Sequence, residues 1–184
     1  QWLHSVPLTK SWISEYEKIY VPKPVIPVIK HKNIHPNLMQ QEALASLTAL
    51  RNNHKNKALL ISATGTGKTY LSAFDVKNID PKRILFVVHR ENIARDAMNT
   101  FKNIIKNHTF GIFTGSDKDI NSNYIFSTVQ TIHKKEYREM FKPDTFDYII
   151  IDEVHRAGAE SYQELMNYFI PSFLLGMSAT PERS

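Results

Sequence analysis

The chain predicts an α/β fold, a mostly parallel central sheet with helices on both faces. Three observations carry this. The strand-like segments Ala58–Ile61, Ile84–Val88 and Tyr148–Ile151 are apolar throughout, as expected for strands buried on both faces. Strand-like and helix-like spacings alternate from Leu38 onward. The chemically informative residues fall just after strands, where open parallel sheets bind their ligands.

The elements follow in order. Residues 1–33 read as a lead-in from a preceding domain, and residues 34–184 as the main domain. Trp2, Leu3, Trp12, Ile13, Tyr16, Ile19 and Tyr20 are too apolar for a disordered tail, and Trp12–Tyr20 reads as a short docking helix. Pro22, Pro24 and Pro27 then impose an extended path. Leu38–Leu50 has helical spacing, with Leu38, Leu44, Ala45 and Leu47 on one broad face. Ala58–Ile61 reads as a buried strand, Lys68–Val76 as a helix and Ile84–Val88 as a second buried strand. A helix through Ile93, Ala97, Met98, Phe101 and Ile105 comes next. Phe110–Phe113 and Tyr124–Phe126 read as strands, and Tyr148–Ile151 as a strand ending in Asp152. Ser161–Phe169 reads as a helix and Phe173–Met177 as a last strand.

The 184 residues are 42% hydrophobic and 22% charged, enough for one domain with a real core. There are no cysteines, which excludes disulfides and thiolate metal sites. No apolar run approaches the ~20 residues that span a bilayer, and no signal peptide is visible. The net charge of +5 leans toward a polyanionic partner. The chain starts at Gln1 and stops just after a strand-like segment, so it reads as a piece of a longer protein.

Ser62-Ala63-Thr64-Gly65-Thr66-Gly67-Lys68-Thr69 follows a strand and opens a helix, the context of a phosphate-binding P-loop. Gly65 and Gly67 let the backbone curl so that its N–H groups face phosphate oxygens. The helix start adds its positive dipole end. Lys68 supplies a mobile cation for the β- and γ-phosphates, and Thr69 a hydroxyl for Mg²⁺. The strict pattern has Gly where this chain has Ser62.

Tyr148–Ile151 delivers a second anchor, the adjacent carboxylates Asp152 and Glu153. Asp152 suits Mg²⁺ through water, because that ion keeps much of its hydration. Glu153 is placed to orient or deprotonate an attacking water. Acids after a strand are commonly just solvated. Paired with an upstream P-loop, they form the other half of an ATPase site.

Gly65-x-Gly67-Lys68-Thr69, Asp152-Glu153-Val154-His155 and Ser178-Ala179-Thr180 together resemble a superfamily 2 helicase with a DEAD/DEAH-type box. The resemblance covers about residues 34–183 and implies the first of two RecA-like P-loop NTPase domains, with residues 34–184 as that ATP-binding domain. Val87-Val88-His89-Arg90-Glu91, Phe126–Thr131 and Leu174–Arg183 resemble the branch of restriction-enzyme motor subunits and related bacterial repair-type helicases. The lead-in resembles bacterial helicases that place a phospholipase-D-like nuclease domain before the motor.

The resemblance implies ATP and Mg²⁺ as cofactors and residues 62–69 as the nucleotide cradle. It implies Gln40 as the residue reading the adenine edge, with Gln41 as the runner-up. It implies His155, Ser178 and Thr180 as a relay coupling the ATP site to a nucleic-acid track. It places that track over His89-Arg90 and Ser127–Gln130, with Arg90, Thr128 and Gln130 contacting phosphates and Arg95, Lys134 and Lys135 adding longer-range charge. DNA is favoured over RNA by branch alone. A second RecA-like domain is implied as the source of an arginine finger, and the bacterial cytoplasm as the location. The competing class is a P-loop ATPase or switch that never touches nucleic acid; a non-catalytic nucleotide scaffold fits less well with Lys68, Thr69, Asp152 and Glu153 intact.

Overall fold

A computed structural model of the chain describes residues 34–63, 65–153 and 160–179. The chain divides into two units, Gln1–Ile34 and His35–Ser184, and the sheet with its helices belongs to the second. The expectations for the lead-in, including its docking helix and its nuclease-linked origin, lie outside the described residues.

Six strands form one sheet: β1 (Lys57–Ile61), β2 (Ile84–Val88), β3 (Phe110–Phe113), β4 (Tyr124–Thr128), β5 (Tyr148–Ile151) and β6 (Phe173–Ser178). Their spatial order is β1-β6-β5-β2-β4-β3, and every pairing is parallel. All six carboxyl ends therefore share one edge. The helices are α1 (Leu38–Asn52), α2 (Lys68–Ile79), α3 (Glu91–Ile104), α4 (Val129–Ile132), α5 (Lys135–Arg138) and α6 (Glu160–Tyr168). The one-turn helices α4 and α5 were not expected, and β4 runs on to Thr128. No described helix is long and apolar enough to cross a membrane.

The central strands are buried on both faces because their side chains alternate between two cores. Ile84, Phe86 and Val88 point into a core with Leu71, Phe74, Phe101 and Phe126. Leu85 and Val87 point into a second core with Phe113, Ile132, Phe146 and Leu165. Phe86, Phe101 and Phe126 form a triangle with ring centroids 5.1–5.5 Å apart, joining α3 to β2 and β4. Each such side chain contributes about 1.5–3 kcal/mol by leaving water.

Two expectations need correction. β1 is not buried throughout: Leu59 and Ile61 are 54% and 47% exposed. Among the described residues β1 pairs only with β6, so it alternates like a strand with one covered face. On α1, Leu38 and Ala45 are exposed, while Gln40, Leu44 and Leu47 are buried. Asn37 sets this phase: its side chain accepts from the Gln40 N–H at 2.9 Å, and its own N–H donates to Gln40 Oε1 at 3.0 Å. This reciprocal capping box starts the helix so that the Gln40 row faces α2.

The opposite edge of the sheet carries a buried charge cluster. The Arg51 guanidinium grips Asp75 with both terminal nitrogens, and Tyr148 donates its hydroxyl to Asp75 Oδ2 at 2.7 Å. Arg51 also lies 4.2 Å from the Phe173 ring centroid. Asp75 is 1% exposed, and this cluster ties α1, α2, β5 and β6 together.

Candidate active site

The turn after β1 is shaped by two left-handed glycines, Gly65 at φ 79° and Gly67 at φ 81°. Gly67 has a second reason to lack a side chain: a Cβ there would lie 2.8 Å from Gln40 Nε2. The loop binds itself together around its own carbonyls. Lys68 Nζ donates to the Ser62 and Ala63 carbonyls at 2.8 and 3.0 Å. Thr66 Oγ1 donates to the Ala63 carbonyl at 2.8 Å and lies 2.7 Å from Ser62 Oγ. Thr69 follows half-buried in the first turn of α2. Thr64 lies outside the described residues.

Gln40 reaches this turn, donating from Nε2 to the Gly67 carbonyl at 3.2 Å. Its amide oxygen already serves the α1 cap, so it braces the loop against the start of α1. Gln41 is exposed and donates to the Pro36 carbonyl at 2.9 Å. Of the two glutamines, Gln40 is therefore the one beside the loop. A cleft of about 110 Å³ opens there, lined by Met39, Gln40, Ala43, Leu60, Gly67 and Leu71 among others.

Asp152 and Glu153 leave the end of β5. Asp152 N–H continues the ladder to the Val87 carbonyl at 2.9 Å. Its carboxylate oxygen accepts the Glu153 N–H at 3.0 Å, and Glu153 turns into the left-handed region at φ 55°. Burial raises the Asp152 carboxyl above its ordinary value of 3.8; the Glu153 charge adds to this, and the Glu153 N–H, Lys68 and His89 oppose it. Lys68 and Asp152 both lie at carboxyl ends on the same edge of the sheet. Glu153 Oε2 lies 3.0 Å from His89 Nδ1 at the end of β2.

β6 runs between β1 and β5. Ser178 is its last residue, 2% exposed, and its carbonyl accepts the Ser62 N–H at 3.0 Å. Ser178 therefore sits between the loop and the acidic pair. Its expected partners His155 and Thr180 lie outside the described residues.

The track residues come from the next strands. Arg90 is exposed at the start of α3 and Gln130 is exposed on α4. Thr128 is 7% exposed, with Oγ1 3.0 Å from Thr131 Oγ1, so its hydroxyl is occupied internally. The Arg95 charge is matched by Glu91, at 2.8 Å, and by Asp117. The contact between His89 and Glu153 was not anticipated. His89 follows a strand, which is a signal, but its neighbour is set by the sheet order.

Residues 33–183 match the family model for the Type III restriction enzyme, res subunit. A type I restriction enzyme EcoAI endonuclease subunit of Escherichia coli is 32% identical over 169 residues, which is 81% of this chain and 20% of that protein. The chain thus spans about a fifth of that relative's length. The Pyrococcus furiosus Hef helicase domain superposes with a TM-score of 0.66 at 18% identity, over 81% of this chain and 34% of that one. A nuclease-deletion mutant of the type ISP restriction-modification enzyme LlaGI, in complex with a DNA substrate mimic, gives 0.63 at 21% identity, over 83% of this chain and 18% of that one. At these identities the structures speak for the fold alone, a parallel α/β sheet of the RecA-like kind.

Proposed function

The chain belongs to the Type III restriction enzyme res-subunit family, and on that premise we propose that it binds Mg·ATP and couples ATP hydrolysis to movement on DNA, together with a second RecA-like domain. One observation carries the reading. The phosphate loop and the Asp152-Glu153 pair leave the carboxyl ends of β1 and β5, on the same edge of the sheet, with β6 alone between those two strands.

In this reading the N–H groups around Gly65 and Gly67 and the start of α2 hold the phosphates. Lys68 exchanges its two loop carbonyls for phosphate oxygens. Ser62, Ala63, Thr64 and Thr66 complete the cradle. Gln40 and the adjoining cleft take the base. Thr69 and Asp152 would hold Mg²⁺. The donor chemistry fits that ion: a hydroxyl and a carboxylate are hard oxygen ligands, and Mg²⁺ takes the rest of its shell from water and phosphate oxygens. When bound, Mg²⁺ neutralises developing charge on the phosphates.

Glu153 orients the attacking water. Ser178 relays the state of the ATP site, with His155 and Thr180. Arg90 and Gln130, with Thr128 through its backbone, hold the DNA backbone, which makes binding sequence-independent and salt-sensitive. RNA fits less well, by family branch. The second domain supplies an arginine finger, worth about 10³–10⁵ in rate. The bacterial cytoplasm is the proposed location, by the same family branch.

The test is ATP turnover of the full-length protein with and without single- and double-stranded DNA. Turnover should rise with DNA, and Glu153→Gln should lower it by about 10³-fold or more while ATP still binds. Turnover indifferent to DNA would favour an ATPase that never engages nucleic acid, and unchanged turnover in Glu153→Gln would remove Glu153 from its role.

A further inference from the structure

Gln40 touches the half of the nucleotide site that it was not expected to serve. By resemblance it meets the base, and it lines the cleft beside the loop. Yet its Nε2 donates to the Gly67 carbonyl at 3.2 Å, in the phosphate turn. The amide lies so close to that turn that a Cβ on Gly67 would sit 2.8 Å from Nε2. Its aim is set locally. The Asn37 N–H donates to Oε1 at 3.0 Å, and Gln40 is 8% exposed. With its oxygen tethered at the start of α1, the amide presents its nitrogen to the loop.

The Gly67 carbonyl matters for phosphates because of peptide geometry. A trans peptide is planar, so its C=O and N–H point in opposite directions. The Gly67 carbonyl accepts the Leu71 N–H at 2.9 Å and the Gln40 bond from α1. The Lys68 N–H belongs to the same peptide and is thereby fixed the opposite way. It is one of the first N–H groups of α2, which have no partner within the helix and suit an anion. Gly67, at φ 81°, restrains this peptide less than a residue with a side chain would, so a brace from outside has something to hold. The loop's own brace is different. Lys68 Nζ bonds the Ser62 and Ala63 carbonyls, and in the proposed function it gives both up to the phosphates. The Gln40 bond runs to the opposite face of the peptide and stays.

We propose that Gln40 is a positioning residue for the phosphates: its bond to the Gly67 carbonyl presets the Lys68 N–H, so that a triphosphate is held more tightly whatever base it carries. The inference deepens the proposed function and rests on it. A side-chain amide has a second N–H and a second lone pair, so holding the loop leaves Gln40 able to meet the base as well.

The experiment is calorimetry of the full-length protein in Mg²⁺, with two probes: ATP, and inorganic tripolyphosphate, which has no base. It compares wild type with Gln40→Leu, Gln40→Met and Asn37→Ala, and reads the urea midpoint of each. Loss of one hydrogen bond should weaken tripolyphosphate binding in Gln40→Leu by about two- to ten-fold, and ATP binding by at least as much. Gln40→Met keeps the length of the side chain and carries the test if the leucine variant does not fold. Asn37→Ala removes the cap side chain but keeps the backbone N–H that tethers Gln40, so its urea midpoint should fall while tripolyphosphate affinity holds. A loss confined to ATP makes Gln40 a base reader only and overturns the inference. Unchanged affinity for both probes overturns it too, as does an equal loss in Asn37→Ala, which would trace the effect to the stability of α1. Wild type that binds ATP but not tripolyphosphate has no preset loop, and the inference fails alone. Wild type that binds neither overturns the proposed function, and this inference with it.

Discussion

Two carboxylates near opposite edges of the same sheet have opposite fates. Asp75 is 1% exposed, yet it holds a two-pronged Arg51 and the Tyr148 hydroxyl, so its buried charge is answered on every side. Asp152 is half-buried, and among the described residues its carboxylate accepts one hydrogen bond, from the neighbouring Glu153 N–H. Burial raises its proton affinity, and the more distant charges of Lys68 and His89 offset that only in part. The first arrangement ties four elements together. The second leaves a carboxylate short of partners on the edge that carries the P-loop, which suits the cation-binding role proposed for it better than a structural ion pair.

Breaking the satisfied cluster should have the largest effect. Asp75→Ala strands the Arg51 charge against Phe173 and should cost about 3–5 kcal/mol of stability, read as a shift of the urea midpoint. A shift under about 1 kcal/mol would mean the cluster is not what joins α1 to α2. At the other edge, Lys68→Ala should leave the urea midpoint nearly in place and weaken ATP binding about 10–100-fold by calorimetry, equivalent to about 1.4–3 kcal/mol. Equal ATP affinity would place the triphosphate elsewhere.

The smallest effect sharpens the contrast by having the opposite sign. Asp152→Asn should stabilise the nucleotide-free protein by about 1 kcal/mol while losing metal-dependent ATP binding. The sign follows from the raised carboxyl. The folded protein holds that proton more tightly than the unfolded chain, so ionisation costs stability above the folded value and the cost fades as pH falls toward 3.8. The gain in Asp152→Asn should therefore be full at pH 7 and shrink in acid. A loss of stability at pH 7 would show that Asp152 is satisfied after all.

Much of this was legible in the order of residues alone. The apolar runs at Ile84–Val88 and Tyr148–Ile151 announced doubly covered strands, and they occupy the middle of the sheet. Gly65, Gly67 and Lys68 identified a turn whose backbone needs left-handed angles, and both glycines have them. Less was legible at the margins. Ala58–Ile61 looks as apolar as its neighbours, but an edge position leaves Leu59 and Ile61 half open. Thr128 looks like a surface hydroxyl, yet the first turn of α4 folds Thr131 against it. Gln40 was a plausible base reader by resemblance, but its amide also caps α1 and braces Gly67, a role visible only when both elements stand side by side.

The sequence by itself was enough to set the parallel layering, the phosphate turn and the pair of acids, because each depends on periodicity or on backbone freedom within a few residues. Which strand lies beside which was decided by the folded sheet. β6 between the loop and the acids, His89 against Glu153 and Arg51 on Asp75 are all contacts between segments far apart in the chain. Such contacts come from packing whole helices and strands against one another, and no local pattern of side chains encodes that.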